Sequence, residues 1–194
     1  MIDLVYPVGG APVLPAAARY TEKDTAHIEW LPVVEPSGEV VAQAPRGFVH
    51  SGSCVLHPVV HLQMINRYGE IYLQKRSQKK DLLPGCWDTA VGGHIGYGET
   101  VLEALFREAR EELGLSDFNP VFLDTYINES GTERELVFVF AIVGDFHPVP
   151  DCDEVEAGDW WSAGKIASNM GTGVLTPNFQ DEYGRMKDSL EALL

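Results

Sequence analysis

Three observations in the sequence predict an α/β fold. Short apolar, β-branched runs are bounded by turn residues, a capped helix with 3.6-residue apolar spacing lies mid-chain, and a second amphipathic helix lies near the end. The opening arm, residues 1–28, is Ala/Pro-rich to about Asp24 and reads as irregular, while 29–194 is expected to form a single domain. Segments 29–34 and 39–42 flank Pro36-Ser37-Gly38 as a β-hairpin extension. Segments 59–65 and 70–75 form a second strand pair across 66–69, and 87–93 leads toward the mid-chain helix. Thr100 can cap that helix, and Val101, Leu102, Leu105, Phe106 and Ala109 form its apolar stripe. It runs to Leu113, where Gly114 supplies a terminating left-handed residue. Strands follow at 121–127 and 135–143, the latter apolar on both faces and therefore central. Pro148, Pro150 and the acidic run 151–156 read as a loop, and Trp160 and Trp161 either close the core or clamp a substrate base. Thr176 and Pro177 open a C-terminal helix, about 177–193, whose Phe179, Tyr183, Met186, Leu190 and Leu193 suit packing or a dimer contact.

Composition narrows the function classes. A chain of 194 residues with 45% apolar content can bury one sizeable core. Its formal charge of -15 opposes binding to nucleic acid polymers or anionic membranes, whose phosphates would meet a repulsive field. Small phosphorylated substrates need only local positive charge. Lys75, Arg76, Lys79 and Lys80 place four of the 14 basic residues within one short stretch. Cys54, Cys86 and Cys152 are too few and too scattered for a disulfide scaffold and read as reduced thiols. The first twenty residues lack a basic segment followed by a long apolar run, so a cytoplasmic protein is expected.

The chemistry concentrates in GHIGYGETVLEALFREAREELGL, residues 93–115. Glu108, Glu111 and Glu112 stand at i, i+3 and i+4 and crowd one helical face. Like charges at that spacing cost about 0.2–0.5 kcal/mol per pair in an exposed helix, a loss that a hard divalent cation reverses. Oxygen donors suit magnesium or manganese, which leave positions for water and phosphate. Gly92, Gly93, Gly96 and Gly98 let the preceding backbone approach an ion or phosphate closely. An ordinary solvated face, with Glu103 paired to Arg107, is the competing interpretation.

The spacing of Gly93, Glu99, Arg107, Glu108, Glu111, Glu112 and Gly114, with Ala109 and Leu115 at apolar positions, resembles the Nudix box, G-x5-E-x7-R-E-U-x-E-E-x-G-U. The resemblance implies an α/β/α sandwich with a mixed sheet and a hydrolase of diphosphates linked to another group, X. It implies metal ligation by Glu108, Glu111 and Glu112 with the Gly93 carbonyl, and a general base at Glu111 or Glu108. Glu99 and Arg107 brace the box, Gly114 ends it, and Glu135 is a candidate extra carboxylate from outside it.

The run HPVVHLQMINRYGEIYLQKRSQKKDLLPGCWDTAVGGHIGYGET is similar to the Nudix branch that includes isopentenyl diphosphate isomerase, a likeness covering about two-thirds of the chain, from Glu29 to Trp161. By that resemblance His50, His57, His94, Glu133 and Glu135 correspond to a divalent-metal site, and Arg76 and Lys80 to diphosphate-binding positions. Glu133 and Glu135 flank Arg134, so both carboxylates fall on one strand face. Imidazole mixed with carboxylate suits zinc, manganese or iron. Ordinary hydrogen-bonded histidines are the alternative. The isomerase's reactive cysteine is replaced here by Gly92, which has no protonatable side chain. Hydrolysis of a small-molecule diphosphate is therefore the reading adopted, by an enzyme for which related proteins suggest a homodimer. An isomerase and a noncatalytic ligand-sensing module are the alternatives.

Overall fold

The computed structural model describes residues 3–20, 28–79, 82–151 and 155–194. Its strands are β1 (Trp30–Val34), β2 (Val40–Pro45), β3 (Leu56–Ile65), β4 (Ile71–Arg76), β5 (Trp87–Asp88), β6 (Val91–His94), β7 (Val121–Glu129), β8 (Arg134–Val143) and β9 (Val155–Trp161). Its helices are α1 (Arg46–Val49), α2 (Val101–Leu113), α3 (Ala163–Asn169) and α4 (Pro177–Glu191). β1 and β2 make the expected N-terminal hairpin, and the other strands form a seven-stranded mixed sheet ordered β5-β4-β3-β8-β7, with β6 on β3 and β9 on β4. The α/β class is as the sequence predicts. β8 lies between β3 and β7, as a strand apolar on both faces requires. Among the described residues, no helix is long and apolar enough to cross a membrane.

The chain divides into two compact units. The first comprises 1–60, 93–104 and 124–138. Its hairpin packs Leu31, Val33, Ala42 and Ala44 with Ala17, Phe48 and Val49. Residues 3–20 of the N-terminal arm are more ordered than their composition suggests, because tertiary bonds replace the missing local ones. Val5 and Val13 bridge to Glu39 and Gln43, and a 3-10 turn spans Pro15–Tyr20. Tyr6 accepts from the Gly98 amide and donates to the Glu99 carbonyl, while Tyr97 accepts from the Ala11 amide at 2.6 Å.

The second unit comprises 61–92, 105–123 and 139–194. β4 pairs antiparallel with β9 along Ile71–Arg76. The acidic segment expected to be a loop enters β9 at Val155, because this ladder extends the strand earlier than local composition signals; 152–154 lie outside the described residues. Trp161 is buried, whereas Trp160 is half-buried with its ring edge-on to Tyr72. α4 starts as predicted, with Thr176 as N-cap and Pro177 in the first turn, and buries Phe179, Glu182, Tyr183, Met186 and Leu190.

α2 has the expected bounds and ends, but of the expected apolar stripe Leu102 is 39% exposed and Phe106 only half-buried, the buried face being completed by Ala104 and Leu113. Thr100 Oγ accepts from the Glu103 amide, and Glu103 accepts from the Thr100 amide, a reciprocal capping box. The Thr100 amide thereby holds the Glu103 carboxyl below the usual carboxylate range. Val101, Ala104, Leu105, Ala109 and Leu113 are fully buried, worth roughly 1.5–3 kcal/mol for each leucine. At the far end Gly114 has φ +66° and donates to the Arg110 carbonyl, closing the helix with a left-handed cap.

Candidate active site and donor clusters

The polar edge of α2 carries the box carboxylates. Glu112 is only 5% exposed, and its Oε2 accepts from Gln74 Nε2 at 3.1 Å and from the Gly92 amide at 3.3 Å. Arg107 Nη1 lies 2.7 Å from Glu108 Oε1 and 3.2 Å from Glu111 Oε2, so one guanidinium spans two carboxylates. Glu108 is mostly covered, while the Glu111 side chain is 54% exposed. In this structure Glu108 and Glu111 engage Arg107 while Glu112 engages Gln74 and the Gly92 amide; oxygen donors of this kind fit magnesium or manganese. In the same unit, Arg76 donates from Nε and Nη2 to the Leu82 carbonyl and lies 3.4 Å from Asp88. Lys80 lies outside the described residues.

In the other unit, Gly93 is on β6, and Glu99 accepts from the Gly96 amide at 2.8 Å, tying the turn before α2. That unit also gathers imidazoles from the α1 end, β3 and β6. His50, His57 and His94 place ligand atoms within 4.8 Å of one another. His50 Nε2 is 3.0 Å from His94 Nε2, and His50 Nδ1 is 2.5 Å from Glu133 Oε1. His57 Nε2 is buried without a hydrogen-bond partner. An orphaned ring nitrogen beside two further imidazoles fits a borderline divalent ion. Burial lowers the His57 pKa below its ordinary 6.5, against the opposing pull of the Val55 carbonyl and Glu135. Glu135, on β8, accepts from Asn128 Nδ2 at 2.9 Å.

Reading the sequence overlooked Gln74 and the Gly92 amide. Gln74 is a buried amide in a strand that otherwise begins Ile71-Tyr72-Leu73, and an apolar run broken by one buried amide was the available signal.

A NUDIX domain matches residues 55–178, which is more than half of the chain. The chain belongs to the Nudix family. This Nudix protein is 33% identical over 141 residues to an isopentenyl-diphosphate Delta-isomerase of Paenarthrobacter aurescens, spanning 68% of this chain and 74% of that one. It is 36% identical over 95 residues to YfcD, an uncharacterised Nudix hydrolase of Escherichia coli (strain K12), over 49% of this chain. That match covers 52% of YfcD, so the chain spans about half the length of such relatives. Among solved structures, DR0079 of Deinococcus radiodurans is similar at a TM-score of 0.70 and 26% identity, covering 81% of this chain and 98% of that one. Relatives named for both hydrolase and isomerase put the protein in the isomerase-like branch.

Proposed function

We propose that this protein is a divalent-metal-dependent hydrolase that cuts a diphosphate linked to a second group, X. The observation that carries the reading is the set of three carboxylates, Glu108, Glu111 and Glu112, within one turn of α2 in a Nudix chain. These residues would hold magnesium or manganese. Such an ion, when bound, neutralises phosphoryl oxygens and lowers the pKa of a coordinated water.

The residues divide the remaining work by their surroundings. Buried Glu112 is anchored by two donors and keeps its position. Glu111, the more exposed of the three, is suited to accept the proton of the attacking water, with Glu108 as the second candidate base. Water oxygen bonds to phosphorus, the bridging P–O bond breaks, and the leaving oxygen departs with its electron pair. Arg76, pre-set by the Leu82 carbonyl and Asp88, grips the remote phosphate together with Lys80. Glu99, Arg107 and Gly114 shape the box. A second divalent ion belongs with His50, His57, His94, Glu133 and Glu135, supported by the clustered ring nitrogens. The charge of -15 favours a small substrate over a nucleic acid polymer, and a cytoplasmic homodimer is the expected setting.

The isopentenyl diphosphate isomerase reading draws on the similarity to that enzyme and on the imidazole cluster. Gly92, where that family's cysteine would stand, weighs against it. One experiment separates the readings: incubation with magnesium and a panel of nucleoside, sugar, coenzyme and isoprenoid diphosphates in ¹⁸O-labelled water. Release of a labelled phosphate or phosphomonoester is expected. Solvent hydrogen entering isopentenyl diphosphate at carbon, with no phosphate released, would replace hydrolase with isomerase. Tight ligand binding without turnover would make the protein a sensing module.

A further inference from the structure

A strongly buried ionisable pair lies outside both donor clusters. His61 on β3 is 7% exposed and Glu182 on α4 is 1% exposed. His61 Nδ1 lies 2.6 Å from Glu182 Oε2, and Glu182 Oε1 accepts from Gln63 Nε2 at 2.6 Å. The Gln63 amide also donates to Thr89 Oγ at 2.8 Å, which in turn donates to the Leu62 carbonyl. Apolar residues of similar volume usually hold a fold together as well as such a pair does, so stability alone is a poor reason for it. Its surroundings offer another. A Cβ built on Gly92 would meet His61 Cδ2 at 3.4 Å, His61 Nε2 at 3.5 Å and Thr89 Cγ2 at 3.7 Å. Imidazole and threonine methyl thus form a shelf beneath the Gly92 backbone. From that shelf the Gly92 amide donates to Glu112 Oε2 at 3.3 Å, beyond the usual N–H···O range, where a shift of a few tenths of an ångström loses the bond.

We infer that the His61–Glu182 pair is a positioning element for Glu112, acting beside Gln74: Glu182 fixes the imidazole plane, the imidazole fixes Gly92, and the Gly92 amide helps to aim the carboxylate. The inference rests on the α2 carboxylates being the metal-binding set. Neither residue touches the ion or substrate in this scheme. They act as outer supports whose loss typically weakens metal affinity by about 10- to 100-fold.

The test is a Mn²⁺ titration of the full chain followed by electron paramagnetic resonance, with thermal unfolding run in parallel. Glu112→Gln identifies the class of Mn²⁺ sites that depends on that carboxylate. Glu182→Gln preserves shape and removes the charge. The double change His61→Leu with Glu182→Leu removes both partners together, so that neither is left buried alone. Leu190→Ala loosens the same helix through a cavity without touching the pair. The expected result is a Kd for the Glu112-dependent site raised about 10- to 100-fold by Glu182→Gln and by the double change, and unchanged by Leu190→Ala. An unaltered Kd with only Tm lowered would make the pair purely structural and overturn the inference. Equal weakening by Leu190→Ala would do so too, since general loosening would then suffice. If the double variant does not fold, Glu182→Gln decides between these outcomes. If Glu112→Gln itself binds Mn²⁺ like the wild type, the carboxylate reading fails first and the inference falls with it.

Discussion

The carboxylates of α2 and the imidazoles at His50, His57 and His94 come to be neighbours by opposite routes. Glu108, Glu111 and Glu112 sit on one helix, where 3.6-residue geometry alone crowds them, and Arg107 already bridges two of them. The imidazoles come from three separate elements and meet only because tertiary structure brings those elements together. Helical spacing produces a hard, anionic, oxygen-only set. Tertiary assembly produces a softer set of ring nitrogens, and burial favours the neutral form of His57. The two regions should therefore differ in preferred ion, in pH response and in what their loss costs.

The largest contrast is expected in turnover. Glu111→Gln or Glu112→Gln should lower kcat about 10²- to 10⁴-fold while leaving the circular dichroism spectrum unchanged. Steady-state assays with the substrate found in the diphosphate panel would measure this, and wild-type turnover in either variant would erase the distinction. Removing His50 or His94 should act on metal content first. His94→Gln should lower affinity for zinc or manganese at the imidazole site by at least about tenfold, read as a lost binding class in calorimetry, while the Glu112-dependent class persists. Loss of both classes together would mean that the two regions work as one.

A change that touches neither set calibrates the comparison. Thr176→Ala removes the side-chain acceptor that caps α4 and should cost about 1 kcal/mol in urea unfolding without altering either metal class. The smallest effect is a pH slope. Because burial depresses the His57 pKa, the unfolded chain takes up a proton below pH 6.5 before the folded chain does. The His57 contribution is therefore complete above pH 6.5 and is lost as pH falls toward the lower folded value. His57→Gln should flatten unfolding free energy against pH in that acid range, as read by urea unfolding at a series of pH values.

The same comparison explains what could be read in the sequence. α2, its Thr100 and Gly114 ends and its three carboxylates lie within 15 positions, so spacing alone revealed them. The α4 cap at Thr176 and Pro177 was legible for the same reason. His50, His57 and His94 were found by resemblance, since no local period links residues that only the fold makes neighbours. Gln74 left only a break in an apolar run, and the Gly92 amide and the pair His61 with Glu182, 121 positions apart, left no local pattern. Nor did residues 3–20 of the arm, which are tied by backbone bridges to Glu39 and Gln43 and by the hydroxyls of Tyr6 and Tyr97. β9 was partly hidden because an acidic run precedes it and its strand character comes from the ladder to β4.

Anomalous diffraction from a crystal soaked in manganese tests the central claim most directly. The account predicts an anomalous peak within coordination distance of carboxylate oxygens from Glu108, Glu111 and Glu112. Manganese found elsewhere, with these oxygens still bound to Arg107, Gln74 and the Gly92 amide and no peak among them, would contradict it.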